Sequence, residues 1–323
     1  MGTIRGRSRW RALPALLVIL LAGCELQEIV VSTPEDLVVA EIYLQAGSFG
    51  SRGLAYLHRT SNSGTSQVPD ATVTLIGPNG SRYSFSPFRL DGCFLGTLPS
   101  RLEGSCYLLD PEGRRAVRPG VAFDVEVELV DGGRLVGRTT VPSNFRVTRP
   151  RSDEGPVCIL PPETRLEVQW TPSDGAWAYI AETEIFDLPA LLAPVGIDVT
   201  EDPLVLLGLS ISREDTTIVF PGEFGVFDRG DLDRDLLNLL QGGLPAGASA
   251  SIVITAGDRN YVNWVRGGGF NPSGQVRLPS LSGTGGTGVF GSQVVRRFLL
   301  EVVDDPPSGS PLCSGTLPDR AVP

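Results

Sequence analysis

The chain has 323 residues, of which 27 are basic and 37 acidic, giving a formal net charge of −10. Every basic residue other than the single histidine is arginine, which excludes a lysine-dependent phosphate loop and Schiff-base catalysis. The lone His58 excludes metal sites built from several histidines, and the acidic balance excludes nucleic acid and anionic head groups as partners.

The chain begins with the pattern of an export signal. Four arginines precede an apolar segment: Arg5, Arg7, Arg9 and Arg11. The segment, residues 13–21, is shorter than the roughly 20 residues that span a bilayer. It ends in Leu21-Ala22-Gly23-Cys24, which resembles a bacterial lipobox and implies cleavage before Cys24 and acylation of that residue. The alternative is an ordinary secretory signal with Cys24 nearby by coincidence.

The predicted mature protein begins at Cys24. It retains 23 arginines (27 − 4) against 37 acidic residues, a net charge of −14. Its second residue is Glu25 rather than the aspartate that retains many lipoproteins in the inner membrane, so the resemblance implies the outer membrane. We expect residues 24–36 to form a tether. The remaining length suggests two domains, at one per roughly 150 residues.

Residues 37–145 are predicted to form a first β-sandwich. Apolar and polar residues alternate with period 2, and Asn79-Gly80 is a strong hairpin signal. A second hairpin turns at Asp131-Gly132-Gly133. The predicted strands include residues 37–44, 71–75, 123–129 and 135–141.

Residues 146–162 are rich in proline, arginine and serine and are predicted to link this domain to a second β-sandwich at 163–303. The second domain is similar to fibronectin type III modules, in which large aromatics such as Trp170 fill the core. Its predicted strands are residues 166–170, 177–185, 204–211, 216–220, 251–256 and 294–303. We also expect short helices at 232–240, capped by Asp231, and near Tyr261, and an irregular tail at 304–323.

Four cysteines remain beyond Cys24: Cys93, Cys106, Cys158 and Cys313. An exported chain permits disulfides, and three pairings exist. We favour Cys93–Cys106, because both flank a loop between predicted strands, which leaves Cys158–Cys313 by elimination. No Cys-x-x-Cys spacing supports zinc.

Several motifs admit a functional and a structural interpretation. The carboxylates of Asp228, Asp231, Asp233 and Asp235 suit calcium, but the EF-hand spacing fails and helix capping explains them. Gly283–Gly288 has the letters of a dinucleotide fingerprint without the strand and helix that it requires, so we expect a glycine-rich bend. We therefore assign no catalytic residue, metal or cofactor.

The C-terminal third carries motifs of a known family. They are Trp264-Val265-Arg266, Asn271-Pro272, Leu278-Pro279-Ser280 and Gly286-Thr287-Gly288-Val289-Phe290-Gly291, and earlier pieces agree with them: Leu37-Val38-Val39, residues 68–74 and Thr139-Thr140-Val141-Pro142. Together these resemble a large family of uncharacterised bacterial outer-membrane lipoproteins. The resemblance implies an immunoglobulin-like or carboxypeptidase-regulatory-like N-terminal domain. It also implies an association with TonB-dependent receptors.

These observations predict an outer-membrane-anchored, non-enzymatic binding or accessory module that acts with a TonB-dependent transporter. The alternative is a structural or adhesive protein of the cell envelope. An envelope hydrolase is the weaker alternative, since paired acids such as Glu182 with Glu184, or Asp304 with Asp305, serve hydrolysis only at a suitable spatial separation.

Overall fold

A computed structural model describes most of the chain after the predicted tether. The described residues are 36–47, 50–60, 67–93, 104–150, 157–210, 212–224, 234–267, 278–310 and 312–317. They belong to one compact unit, Asp36–Pro323. Within these residues no helix combines the length and the apolar character needed to cross a membrane.

Nine strands close into a ring in the order β1-β2-β5-β4-β3-β6-β7-β15-β16, with β16 returning to β1. Their bounds are β1 Val38–Gly47, β2 Arg52–Arg59, β3 Thr72–Ile76, β4 Arg82–Phe88, β5 Ser105–Leu109, β6 Ala122–Glu128, β7 Arg134–Thr140, β15 Leu281–Thr284 and β16 Gly286–Val302. Buried and less buried residues alternate along β1, β2 and β3 because period-2 side chains point to opposite faces, and the inward set contributes to the core of the ring. The parallel pairing of β1 with β16 makes this a mixed barrel.

The same sheet continues beyond the ring through β14, β11 and β12, and β9 pairs with the far end of β16. A second, four-stranded sheet is centred on β10. The bounds are β8 Val147–Arg149, β9 Val157–Leu160, β10 Arg165–Trp170, β11 Ala178–Phe186, β12 Leu204–Leu209, β13 Thr217–Phe220, β14 Ser249–Gly257 and β17 Thr316–Leu317. The rings of Trp170, on β10, and Tyr179, on β11, pack edge to face with their centroids 5.3 Å apart, and this contact joins the two sheets.

Short helices decorate this framework. Their bounds are α1 Pro111–Ala116, α2 Leu188–Leu192, α3 Arg234–Gly242 and α4 Arg259–Arg266, with 3₁₀ turns at Pro78–Gly80, Leu90–Cys93 and Ala193–Val195. The helix expected near Tyr261 is thus α4. The segment around Cys93 is a 3₁₀ turn rather than the strand expected from the sequence.

The prediction of two β-sandwich domains is wrong. β16 is a single strand of 17 residues whose first part pairs with β1 and whose second part pairs with β14, so it belongs to the ring and to the sheet beyond it. β15, from the C-terminal part of the chain, lies between β7 and β16 and completes the ring. The short-range alternation of apolar residues is the same in a sandwich and in a barrel, so it did not distinguish these pairings.

Candidate functional site

The site begins at the junction between β14 and α4. Asp258 directly follows Gly257, the last residue of β14, and its carboxylate accepts a hydrogen bond from the Tyr261 backbone N–H at 2.9 Å. Aspartate is a favoured N-cap because its side chain satisfies a backbone donor that the first helical turn leaves unpaired. The capping residue therefore fixes where α4 starts.

Asp258 is also bonded to the ring. Its second carboxylate oxygen accepts from the Thr139 hydroxyl of β7 at 2.6 Å, and the first oxygen accepts from the Ser292 backbone N–H of β16 at 3.1 Å. All three residues are buried. Burial raises the pKa of Asp258 above its ordinary value, and these hydrogen bonds oppose that rise. The carboxylate thus holds the start of α4 against two strands of the ring.

Trp177 lies beside this junction. It precedes β11, and its backbone N–H donates to the Gly257 carbonyl at 2.8 Å, one residue before the cap. Its side chain is 46% exposed, whereas Trp170 and Trp264 are 3% and 7% exposed. An exposed indole on a fixed backbone offers a large apolar face at a low conformational cost.

Arg259, the first residue of α4, completes the site. Its guanidinium carbon lies 5.2 Å from the centroid of the Trp177 ring, which is cation–π geometry. The side chain is exposed, and among the described residues no carboxylate forms an ion pair with it. We call Trp177 and Arg259 the Trp177–Arg259 platform.

The sequence did not identify this platform. The expectation that the aromatics of the second half fill the core is correct for Trp170 and Tyr179, which are 3% and 1% exposed, and wrong for Trp177. Trp177 precedes the first residue of β11, so strand alternation does not govern where its side chain points. The signal available was local: the turn Ser173-Asp174-Gly175 before it and the helix-capping pattern of Asp258.

His58 belongs to a second group of polar and aromatic side chains, on the outer face of β1 and β2. Its Nε2 lies 3.9 Å from Glu41 Oε1, and its ring stacks on Tyr56 with centroids 5.1 Å apart. The Tyr43 hydroxyl donates to the Glu41 carboxylate at 3.0 Å, and the Tyr43 ring meets Tyr261 of α4 edge to face. Burial, and then the Glu41 charge, raise the pKa of Tyr56. These contacts connect β1, β2 and α4 on the outer face of the ring.

The acid pairs considered for hydrolysis lie in different surroundings. Glu182 and Glu184 share one face of β11, where burial and then the charge of Glu184 raise the pKa of Glu182. The opposing effect of Arg297, on β16, is smaller. Asp304 and Asp305 are exposed and follow β16.

The other predicted site residues are placed as follows. Cys24 lies outside the described residues, as do Asp228, Asp231 and Asp233, while Asp235 lies in the first turn of α3. Within the described part, no three histidine, cysteine or acidic side chains are grouped as metal ligands. Two disulfides form, Cys93–Cys106 and Cys158–Cys313, which are the pairs favoured from the sequence.

The glycine-rich segment Gly283–Gly288 is the bend expected from the sequence: it contains the turn between β15 and β16. Gly285 takes a φ of +80° at the turn. A Cβ on Gly288 would lie 1.9 Å from the Ala40 carbonyl oxygen, so only glycine permits this approach of β16 to β1. The motif serves ring closure.

No protein-family model and no curated protein matches this sequence. Among solved structures, a DUF4785-family protein from Legionella pneumophila aligns at 14% identity over 67% of this chain, with a TM-score of 0.18. The match spans about half of the Legionella protein, 51% of its length. The two tandem V-type regions of VCBP3, a v-region-containing chitin-binding protein, align at 10% identity over 82% of this chain and 100% of theirs, with a TM-score of 0.17. Neither similarity bears on function.

Proposed function

We propose that this protein is a lipid-anchored, non-enzymatic binding module of the outer membrane, which acts beside a TonB-dependent transporter. The observation that carries the binding role is the Trp177–Arg259 platform, an exposed indole and guanidinium held at a 5.2 Å separation. Tryptophan and arginine are the residue types that contribute most to binding energy when they are held in place.

The anchor is supported by the lipobox-like Leu21-Ala22-Gly23-Cys24 and by Glu25 after it. The disulfides Cys93–Cys106 and Cys158–Cys313 agree with a location outside the cytoplasm, because thiols in the cytosol are kept reduced. Several acyl chains attached at one cysteine make a stable anchor, since each buried CH₂ contributes about 0.8 kcal/mol.

The association with a TonB-dependent transporter is supported by the resemblance of the C-terminal motifs to the family of outer-membrane lipoproteins named above. An accessory module on the membrane surface raises the local concentration of a ligand near a transporter that is held on the same surface. The anchor and the platform together fit this arrangement.

Three measurements test the proposal. Fractionation should find the wild-type protein in the outer membrane and a Cys24→Ser variant in the soluble fraction; a variant that stays membrane-bound would contradict the anchor. Purification of the wild-type protein from detergent-solubilised membranes should enrich a TonB-dependent receptor, and deletion of the gene should impair nutrient uptake. A deletion strain that takes up nutrients normally but loses surface attachment would favour an adhesive protein instead.

A further inference from the structure

We propose that the Trp177–Arg259 platform binds a sugar ring that carries a carboxylate, as in a uronic acid residue of a glycan. This inference rests on the proposed function, because it names the ligand class of the same site. It is argued from the two side chains, their surroundings and the charge of the whole chain.

The exposed indole favours a small ring as the ligand. A standard protein–protein interface buries about 800 Å² on each partner around an apolar centre. In the described part of the chain, the other large apolar side chains that are exposed lie on neither α4 nor the turn before β11. Trp177 is thus the one exposed large apolar side chain on the two elements that form the platform, and the C–H face of a pyranose ring can pack against the part of the indole that Arg259 leaves open.

The guanidinium favours a carboxylate on that ring. Arginine binds carboxylates through two parallel N–H donors, and stacking on an aromatic face leaves the donors in the guanidinium plane available. Arg259 is exposed and contacts the Trp177 ring, and within the described residues no carboxylate forms an ion pair with it. A ligand that lies on the indole can thus reach this cation with one acidic substituent.

The backbone fixes both groups before the ligand arrives. Trp177 is tied to Gly257 by its N–H, and Arg259 follows Asp258, whose carboxylate is bonded to Thr139, Ser292 and Tyr261. Only the outer parts of the two side chains must be ordered on binding. Such preorganisation lowers the entropic cost of association, which matters for a site that makes few contacts.

The overall charge limits how acidic the ligand is. The predicted mature chain, with a net charge of −14 (23 arginines against 37 acidic residues), repels a polyanion at long range, while a single carboxylate beside Arg259 is attracted within the screening length, about 8 Å at physiological salt. We therefore expect short glycans with isolated uronic acid residues to bind better than heavily sulfated ones.

Titration of the full-length protein, purified from membranes in detergent, tests this inference. The probes are a disaccharide that ends in glucuronic acid, its neutral glucose counterpart and heparin, with binding followed by calorimetry and by tryptophan fluorescence. We expect the acidic disaccharide to bind about tenfold or more tightly than the neutral one, as for a charge-assisted hydrogen bond. Arg259→Gln should remove this preference, Arg259→Lys should restore part of it, and Trp177→Ala should weaken binding of both sugars.

Matched controls separate the site from general effects on the fold. Phe88→Ala removes another exposed aromatic, on β4, and Arg115→Gln removes another exposed arginine, on α1; neither should change the affinity. Equal binding of the acidic and neutral sugars, or an unchanged preference in Arg259→Gln, would contradict the proposal that Arg259 recognises a carboxylate on the sugar. No binding of either sugar, or binding of heparin alone, would overturn the ligand class. None of these outcomes changes the result of the fractionation and receptor-purification experiments. Failure of the sugar inference can therefore be distinguished from failure of the proposed anchor and transporter.

Discussion

The Thr139 hydroxyl donates a 2.6 Å hydrogen bond to the buried Asp258 carboxylate, and this contact joins β7 of the ring to the start of α4. The Ser292 hydroxyl, 2.7 Å from the same Thr139 oxygen, adds β16 to the network. Residues separated by 119 and 153 positions in sequence thus meet at one carboxylate, which lies next to the candidate site.

Replacement of Asp258 by alanine should destabilise the fold. The change removes a helix cap and leaves buried donors of Thr139 and Ser292 without their acceptor, so we expect a loss of about 2–4 kcal/mol in the free energy of unfolding. Urea denaturation followed by circular dichroism measures this. Asp305→Ala, at an exposed position, is the control and should change stability little. Equal stabilities of the two variants would contradict the structural role of the network.

Alanine at Gly288 should prevent the ring from closing. The added methyl carbon would lie 1.9 Å from the Ala40 carbonyl oxygen, and the residue has a φ of +151°. We expect a loss of more than about 4 kcal/mol or failure to fold, as for the most disruptive single substitutions. Gly242→Ala, at the end of α3, is the matched control because no atom beyond its chain neighbours and its own helix backbone lies within 4 Å of the added Cβ. A soluble Gly288→Ala protein with wild-type thermal stability would contradict the close approach of β16 to β1 at this residue.

Glu182 should make stability depend on pH. Because burial raises its pKa in the folded state, the folded protein binds the proton more tightly, and stability falls as the pH rises from the ordinary glutamate value through the folded pKa. Glu182→Gln removes this loss, so its stability relative to wild type should increase as the pH rises above the ordinary glutamate pKa, about 4.3, and level off above the folded pKa. Denaturation curves across that range measure the difference.

Glu126 gives a control of opposite sign. Hydrogen bonds from Arg82 and Arg134 lower its pKa, so its contribution to stability is present above the ordinary glutamate pKa and is lost as the pH falls through the folded value. Both arginines are more than half exposed, which limits the contribution to about 1 kcal/mol. Glu126→Gln should therefore be less stable than wild type at neutral pH and approach it in acid. If the stability of both glutamine variants relative to wild type changed in the same direction as the pH rises, the opposite pKa shifts assigned to Glu182 and Glu126 would be wrong.

The two disulfides should differ in their effect on stability. Cys158–Cys313 closes a loop of 155 residues and Cys93–Cys106 one of 13. In the chain-entropy model their removal costs about 5 and about 3 kcal/mol, respectively. Thermal unfolding of the Cys158→Ser/Cys313→Ser and Cys93→Ser/Cys106→Ser double variants compares them. A greater loss for the second pair would show that local packing, rather than loop length, determines the effect.

Several elements follow from the sequence alone because their causes are local. The Asn79-Gly80 turn and the turn at residues 131–133 form the two expected hairpins, since both depend on residues that tolerate turn geometry. The helix near Tyr261 begins after Asp258, a standard capping residue. Apolar alternation located nine strands to within three residues at each end, but it missed β2 and the first eight residues of β16.

The sequence by itself thus determined that the chain is mostly β, where its two hairpins turn and which cysteines pair. Only the tertiary structure decided that Val38–Gly47 pairs with Gly286–Val295, which closes a ring and replaces two separate sandwiches. The physical reason is that period-2 alternation records which face of a strand is buried but not which strand lies beside it. The tertiary structure also decided the Trp177–Arg259 platform, because its two residues are 82 positions apart (259 − 177). The pairing of β11 with β14 places Trp177 beside Gly257, two residues before Arg259.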